Sequence, residues 1–582
     1  VNDLPSHDDA NTGEGDDSVE GKWLVRADGD KGLSLADRIS EHFHRLTWRT
    51  PIHGLRLKGR YPLKLLAVPD DPFLGDVKRG QALLAGQMTF RGETRAIESL
   101  NLLKPDFSVD FADYLHSAGW LRDLSTVATR VQAVPVAEAI LRHWLAAHAE
   151  IVSEPAWRPD LCARRILAWS AHAPLILSSA DLVYRSAVLN AFARCTRHLD
   201  RGAEKVAPGA ARVATLCGVV AGGMLLPGGD ARRVASEAAL ARALAVSLFE
   251  DGGVVSRSPQ AQLDVVMLLT QLRAVYEARR IEPPALLGDA LGRLVPALLG
   301  VCLGDGGLSS WQGGGPVPGA EIADIITATG VRTRPLRQAR EWGYQRLAAA
   351  GAVLVFDAAP PPVARLVKGG CASTLAFEFS DGAHRIIVNC GGARAGIAQL
   401  PAELTEGLRT TAAHSTLVVG DSNSTAVHAD GTLGRGVGEV ELARQESENA
   451  SRVEASHDGY ARRFGFVHRR QLVLTGDGRE LRGDDMLLPA KKRGRVSASG
   501  FVIRFHLGVG IEVSPTADGM AALLRLPGGV LWQFRCRGGA LAVEPSVWID
   551  GQGRPQSTFQ LVVTGDTPAG GTNVGWVLKR AG

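Results

Sequence analysis

The apolar positions of this chain change their spacing once. From about residue 34 to residue 350 they recur at the interval of one helix face. In VAEAILRHWLAAHAEI, the residues Val136, Ile140, Leu141, Trp144, Leu145 and Ile151 fall together. The same rhythm runs through 161–176, 182–199, 210–226, 234–249, 263–279 and 286–303, with short Gly, Pro or Ser breaks between them. Many helices on short loops predict helical hairpins stacked side by side, as a bundle, solenoid or toroid. No fixed repeat period is visible, which disfavours a simple solenoid.

Beyond Gly351 the period shortens. GAVLVFD, HRIIVNC, STLVVGD, RRQLVLTGDGRELRGDD, FVIRFHL, VLWQFRC and FQLVVTG are short β-rich runs separated by Gly, Asp and Asn. The Gly-Asp-Gly at 476–478 between two such runs predicts a hairpin. Six or more strands without intervening helices predict an antiparallel sandwich. The boundary is expected near 345–352, after a last helix ending in GYQRLAAAG. The predicted organisation is multidomain, α then β: an acidic tail over 1–34, a helical domain over 35–348 and a β-sandwich over 349–582. At 582 residues the chain exceeds what one core supports.

Composition narrows the class. The chain is 45% hydrophobic and 22% charged, as a globular protein is, and its formal charge of +4 gives no ground for a nucleic-acid partner. Arginine far outnumbers lysine, which fits either genomic base composition or bidentate recognition of carboxylates and sulfates. The 7 cysteines are dispersed with no CxxC, an arrangement of reduced thiols rather than a disulfide framework. The first twenty residues hold seven acids and no Lys, Arg or aromatic residue, which reads as a disordered tail without signal-peptide regions. The most apolar stretch, near 216–227, is too short to span a membrane. These features alone place the protein in the cytoplasm. They define no oligomeric state.

Three segments carry a family resemblance. KGGCASTLAFEFSDGAHRIIVNCGG, RTTAAHSTLVVGDS and ASHDGYARRFGFVHRRQLVL resemble the C-terminal domain of the heparinase II/III-like family. Upstream, ARVATLCGVVAGGMLLPGG and DGGVVSRSPQAQLDVV are similar to two central segments of that family's α/α toroid. The resemblance runs from about residue 35 to the end. It implies an incomplete toroid followed by a sandwich, and β-elimination on an acidic, uronate-containing polysaccharide, with a periplasmic or envelope location. That chemistry needs a group to neutralise the uronate carboxylate, a base for the C5 proton and an acid for the departing O4. It requires no cofactor, although some members hold a structural zinc in the β-domain.

Matched residue by residue, the usual groups are missing. The family's Asn-His pair falls on Ala210 and Ala211, just before Arg212. Its Ser-Pro-x-Tyr-His falls on Ser258-Pro259-Gln260-Ala261-Gln262, and its His-Gly-His-Ala-Asp on Gly369-Gly370-Cys371-Ala372-Ser373. No Tyr or His lies between Asp200 and Arg273. The catalytic candidates that survive are Gln260 and Gln262, whose amides can hold a carboxylate, and Tyr460 and His457 of the β-domain. The alternative for the glutamines is a polar first helical turn, with Ser258 as cap and Pro259 as first residue. Arg212, Arg257, Trp311, Gln312 and Arg463 are the candidate substrate-binding residues. Each is also an ordinary helix-end, loop-packing or sandwich residue. Cys371, Cys390 and His414 fall on or beside zinc-ligand positions. Thiolate and imidazole suit zinc, and the same residues equally suit a packed core. Two functions remain open: a lyase with altered chemistry, or an inactive member that binds a glycan or an envelope component.

Overall fold

The computed structural model describes residues 21–26, 47–48, 50–58, 64–103, 106–362, 369–392, 400–490 and 498–581. The chain folds as a helical region followed by two large antiparallel sheets. After short helices at Pro51–Arg56 and Val77–Leu84 come α1 (Val109–Ser117), α2 (Trp120–Val127), α3 (Arg130–His148), α4 (Pro159–Ala171) and α5 (Leu182–Gly202). They are followed by α6 (Ala210–Leu225), α7 (Asp230–Ser247), α8 (Pro259–Arg279), α9 (Ala285–Gly300) and α10 (Gly319–Thr329).

The helix α6 lies at the centre of this region. Its side chains from Val213 to Leu225 are buried, and it packs on α4, α5, α7 and α8. Two glycines permit that crowding. A Cβ on Gly218 would sit 2.6 Å from the Cβ of Ala163 on α4, and one on Gly222 would sit 2.4 Å from Cγ2 of Thr196 on α5. Apolar side chains of α1 to α10 share one continuous core.

One sheet has nine strands, in the order Gly21–Arg26, Glu439–Glu446, Ala450–His457, Phe466–Thr475, Glu480–Pro489, Thr572–Arg580, Leu531–Arg537, Ala521–Arg525 and Glu512–Pro515. The other runs Ala540–Ile549, Pro555–Thr567, Ser499–Leu507, His384–Val388, Phe377–Asp381, Ala352–Asp357 and Tyr344–Ala349, with Leu417–Val419 also paired to Ser499–Leu507. A second core fills the space between the sheets, with Phe377, Phe505, Phe534 and Trp576 at van der Waals distance. Alternation along Phe466–Thr475 is strict, buried then half-buried, as a sheet with one covered face requires.

The predicted fold class is the observed one, and the Gly-Asp-Gly turn does close the hairpin between Phe466–Thr475 and Glu480–Pro489. Three local readings differ. Tyr344–Ala349 is a strand paired with Ala352–Asp357, not the end of a helix. Its alanines suit a helix, yet pairing across the Ala350-Gly351 turn overrides that propensity. Ile151 lies past the end of α3 and is exposed. Within the segment expected to be a tail, Gly21–Arg26 forms a strand against Glu439–Glu446. The acidic first twenty residues lie outside the described residues.

A candidate functional site at the toroid–sandwich seam

The start of α8 faces the sandwich. Ser258 Oγ accepts from the Ala261 N–H and Pro259 opens the helix, so the first turn is capped in the ordinary way. The glycine turn before it is packed shut. The Asp251 carboxylate accepts from the backbone N–H groups of Gly253, Glu341 and Trp342, and Gly253 lies against the Trp342 indole.

The two glutamines have opposite fates. Gln262 is 0% exposed. Its Oε1 accepts from Val254 N–H at 2.8 Å, and its Nε2 donates to the carbonyls of Gly252 at 2.8 Å and Leu294 at 2.9 Å. All three hydrogen-bonding positions it offers here are used inside the protein, so Gln262 clamps the turn and reaches no ligand. Gln260 is half-buried beside Gly314, and its amide makes no hydrogen bond among the described residues. Ala211 is exposed, and Ala210 and Ala261 are half-buried. Methyl groups therefore stand where the resemblance places the neutraliser and the base.

Arg257 is not a ligand-binding cation. It is 3% exposed, and its guanidinium is consumed by the fold. Nη2 donates to Asp357 Oδ1 at 2.6 Å, Nε to the Trp342 carbonyl at 2.7 Å, and Nη1 to the Pro360 carbonyl at 2.7 Å. The cation also lies over the Tyr344 ring, 4.9 Å from its centroid. The other Asp357 oxygen accepts from Ser373 Oγ at 2.7 Å, which in turn accepts from Gln312 Nε2 at 2.9 Å. Gln312 Oε1 accepts from the Cys371 N–H at 2.9 Å. Trp311 is fully buried and donates from Nε1 to Ser309 Oγ. Arg257, Gln312 and Cys371 are thus brought together as one hydrogen-bonded chain joining the helical region to the sandwich, with Trp311 packed beside it.

A second buried group lies on the same seam. Glu378 Oε1 accepts from the backbone of Ser310 and from both the backbone and side-chain nitrogens of Asn389. Among the described residues its Oε2 has no partner, nor has Ser310 Oγ. Burial pushes this carboxyl up to about 7, against the lowering effect of Arg385 and these donors. Asp357, Ser373 and Glu378 escape a motif search, but the sequence does carry a signal. Asp357 closes GAVLVFD and Glu378 interrupts LAFEF, and an acid inside an apolar strand calls for a buried donor.

The β-domain candidates are interior residues. Tyr460 is 1% exposed and donates to the Leu417 carbonyl at 2.8 Å. Burial drives its phenol further from ionisation, away from what a base needs. His457 takes the Gly459 N–H on Nδ1, which places its proton on Nε2, facing His468 Nδ1 at 3.3 Å. His468 Nε2 then donates to Asp485, which is held by Arg470 and Trp576. Burial, with His468 and Arg470 beside it, keeps His457 neutral. Arg463 is at the surface and bonds to Ser422 Oγ. Arg212 is occupied by the carbonyls of Val206 and Glu204.

The three candidate zinc ligands do not converge. Cys371 Sγ contacts the Gly369 carbonyl, Cys390 Sγ lies 3.4 Å from His506 Nδ1, and His414 Nδ1 donates to the Thr410 carbonyl at 2.7 Å. Among the described residues, no group of three His, Cys, Asp or Glu side chains could hold a metal ion. The donor set does not fit zinc, because the Cys371 and Cys390 sulfurs face separate partners.

Helical toroid, paired sheets and the seam between them define a protein of the toroid-plus-sandwich class. Residues 331–577 match the family model for the heparinase II/III-like C-terminal domain. Over 569 residues it is 27% identical to FtsZ-localized protein C of Caulobacter vibrioides (strain NA1000 / CB15N), covering 93% of this chain and 94% of that one. Its fold is similar to that of heparinase III, with a TM-score of 0.66 at 11% identity over 93% of this chain and 89% of that chain. It is also similar to the heparan sulfate lyase HepC from Pedobacter heparinus, with a TM-score of 0.55 at 12% identity over 94% of this chain and 88% of that chain. Among the described residues no helix is long and apolar enough to cross a membrane.

Proposed function

We propose that this chain is a non-catalytic member of the family, a toroid-and-sandwich scaffold that works at the cell-division site alongside FtsZ. The observation that carries the first half is the seam itself. Ala210, Ala211 and Ala261 fill the proton-transfer positions, while Gln262, Tyr460 and His457 are buried and committed to the fold. β-Elimination on an acidic uronate polymer would have to rely on Gln260, which can hold a carboxylate but cannot remove a proton from carbon. The division role is supported by full-length similarity to a protein named for its localisation with FtsZ.

Two measurements test the reading. Incubation with heparan, chondroitin, alginate and other uronate polymers is expected to produce no ultraviolet-absorbing unsaturated product. A fluorescent fusion expressed in the native host is expected to co-localise with FtsZ at mid-cell. Turnover of any of these polymers, or a fusion spread evenly through the cell, would overturn the corresponding half.

A further inference from the structure

Deep in the helical region, one guanidinium is held by sulfur. Arg165 on α4 is 1% exposed and, among the described residues, no carboxylate reaches it. Its Nη2 donates to Cys162 Sγ at 3.1 Å and to Cys195 Sγ of α5 at 3.2 Å. Its Nη1 donates to the carbonyls of His116 at 2.7 Å and Ala156 at 2.9 Å. The Trp144 ring lies under it, 4.3 Å from centroid to Cζ. Carbonyls and an indole face supply partial charge only. An unpaired ion at this depth is strongly destabilising, so a buried cation calls for an anion beside it.

Among the described residues, no other anion touches Arg165. The nearest imidazoles, His116 and His148, are kept neutral by burial, and Arg194 adds a second cation near Cys195. Burial alone would raise the Cys195 thiol. The neighbouring Cys162 thiol and the Arg165 and Arg194 charges outweigh it, and hold Cys195 below the ordinary thiol range. Cys162 moves the opposite way, pushed up chiefly by burial. The helices α4 and α5 pack on each other, and the Cys162 and Cys195 sulfurs meet at the same Arg165 nitrogen.

The geometry points to a redox-active dithiol: Cys195, the thiolate counter-ion of Arg165, and Cys162, its resolving partner, close to a disulfide between α4 and α5 when peroxide reaches them. The Cys195 thiolate attacks a peroxide oxygen, the O–O bond breaks, and sulfenic acid and hydroxide form. Cys162 loses its proton to that hydroxide and attacks the sulfenic sulfur; the S–S bond forms and the S–O bond breaks. The sum is one thiolate, one thiol and one hydrogen peroxide giving one disulfide, one water and one hydroxide, and the hydroxide carries the negative charge away. Both sulfurs are buried, so the reaction waits on local opening of α5. The product carries no negative charge, and Arg165 is left with its positive one. Oxidation should therefore loosen the helical region, unlike an ordinary cross-link.

The test treats the folded full-length chain with hydrogen peroxide, blocks remaining thiols under denaturing conditions and maps the peptides. The expected product is a Cys162–Cys195 disulfide, formed before any change at the other five cysteines. In the C162S variant, a dimedone adduct is expected at Cys195. In C195S the adduct at Cys162 should be at least about tenfold weaker, because the thiolate is the nucleophile. Should C195S not fold, C162S and the wild type still decide the matter. Both thiols remaining fully alkylatable after peroxide, or a dimedone preference for Cys162 or for another cysteine, would overturn the assignment.

Discussion

At the scale of single residues, polarity in this protein marks joints. Glu378 shows what that costs. Its carboxyl is buried with one oxygen unpartnered, and its folded-state value is raised to about 7 from an ordinary 4.5. A raised carboxyl favours the protonated form in the folded state. Its stabilising contribution is complete below pH about 4.5 and is lost as pH rises through about 7. A shift of this size corresponds to about 3 kcal/mol. Glu378→Gln keeps the oxygen that accepts from Ser310 and Asn389 and removes the charge. Its melting temperature is expected to exceed that of the wild type at pH 8 and to match it near pH 5. Equal differences at both pH values would show that Glu378 is uncharged throughout.

At the scale of elements, the joint between α8 and the strand Ala352–Asp357 rests on the Arg257–Asp357 pair, at 4% and 0% side-chain exposure. Arg257→Met strands the Asp357 carboxylate and should cost about 3–5 kcal/mol, read from the midpoint of urea unfolding. A loss under about 1 kcal/mol would mean that Asp357 finds another donor. The helices that flank this joint were plain in the sequence, because 263–279 and 286–303 keep one apolar period throughout. The strand Tyr344–Ala349 was not plain. Its six residues are too few to display a period, and alanine favours a helix until a partner strand arrives. The candidate site was half legible. The absence of Tyr and His between Asp200 and Arg273 could be read directly. What replaced them could not, since the partner acids Asp357 and Glu378 lie 100 and 68 residues away and only folding brings them to Arg257 and Ser310.

At the scale of the whole molecule, the fold is similar to that of heparinase III, and buried polar side chains fasten the helical region to the sandwich along the seam. A working lyase needs an open, hydrated groove with titrating groups. Here Gly392 approaches Gly314 so closely that a Cβ on it would lie 2.3 Å from the Gly314 carbonyl oxygen.

The strand Gly21–Arg26 gives the N-terminal segment a structural duty. It lies along the outer edge of the nine-stranded sheet, hydrogen-bonded to Glu439–Glu446, more than four hundred residues later in the chain. A bare edge of that length invites pairing with a neighbouring molecule. Removing residues 1–26 as though they were dispensable should leave the helices folded and make the shortened protein sticky, detectable as concentration-dependent light scattering that the full-length protein does not show. The strand Gly21–Arg26 would then act as a built-in bumper over the longer strand Glu439–Glu446.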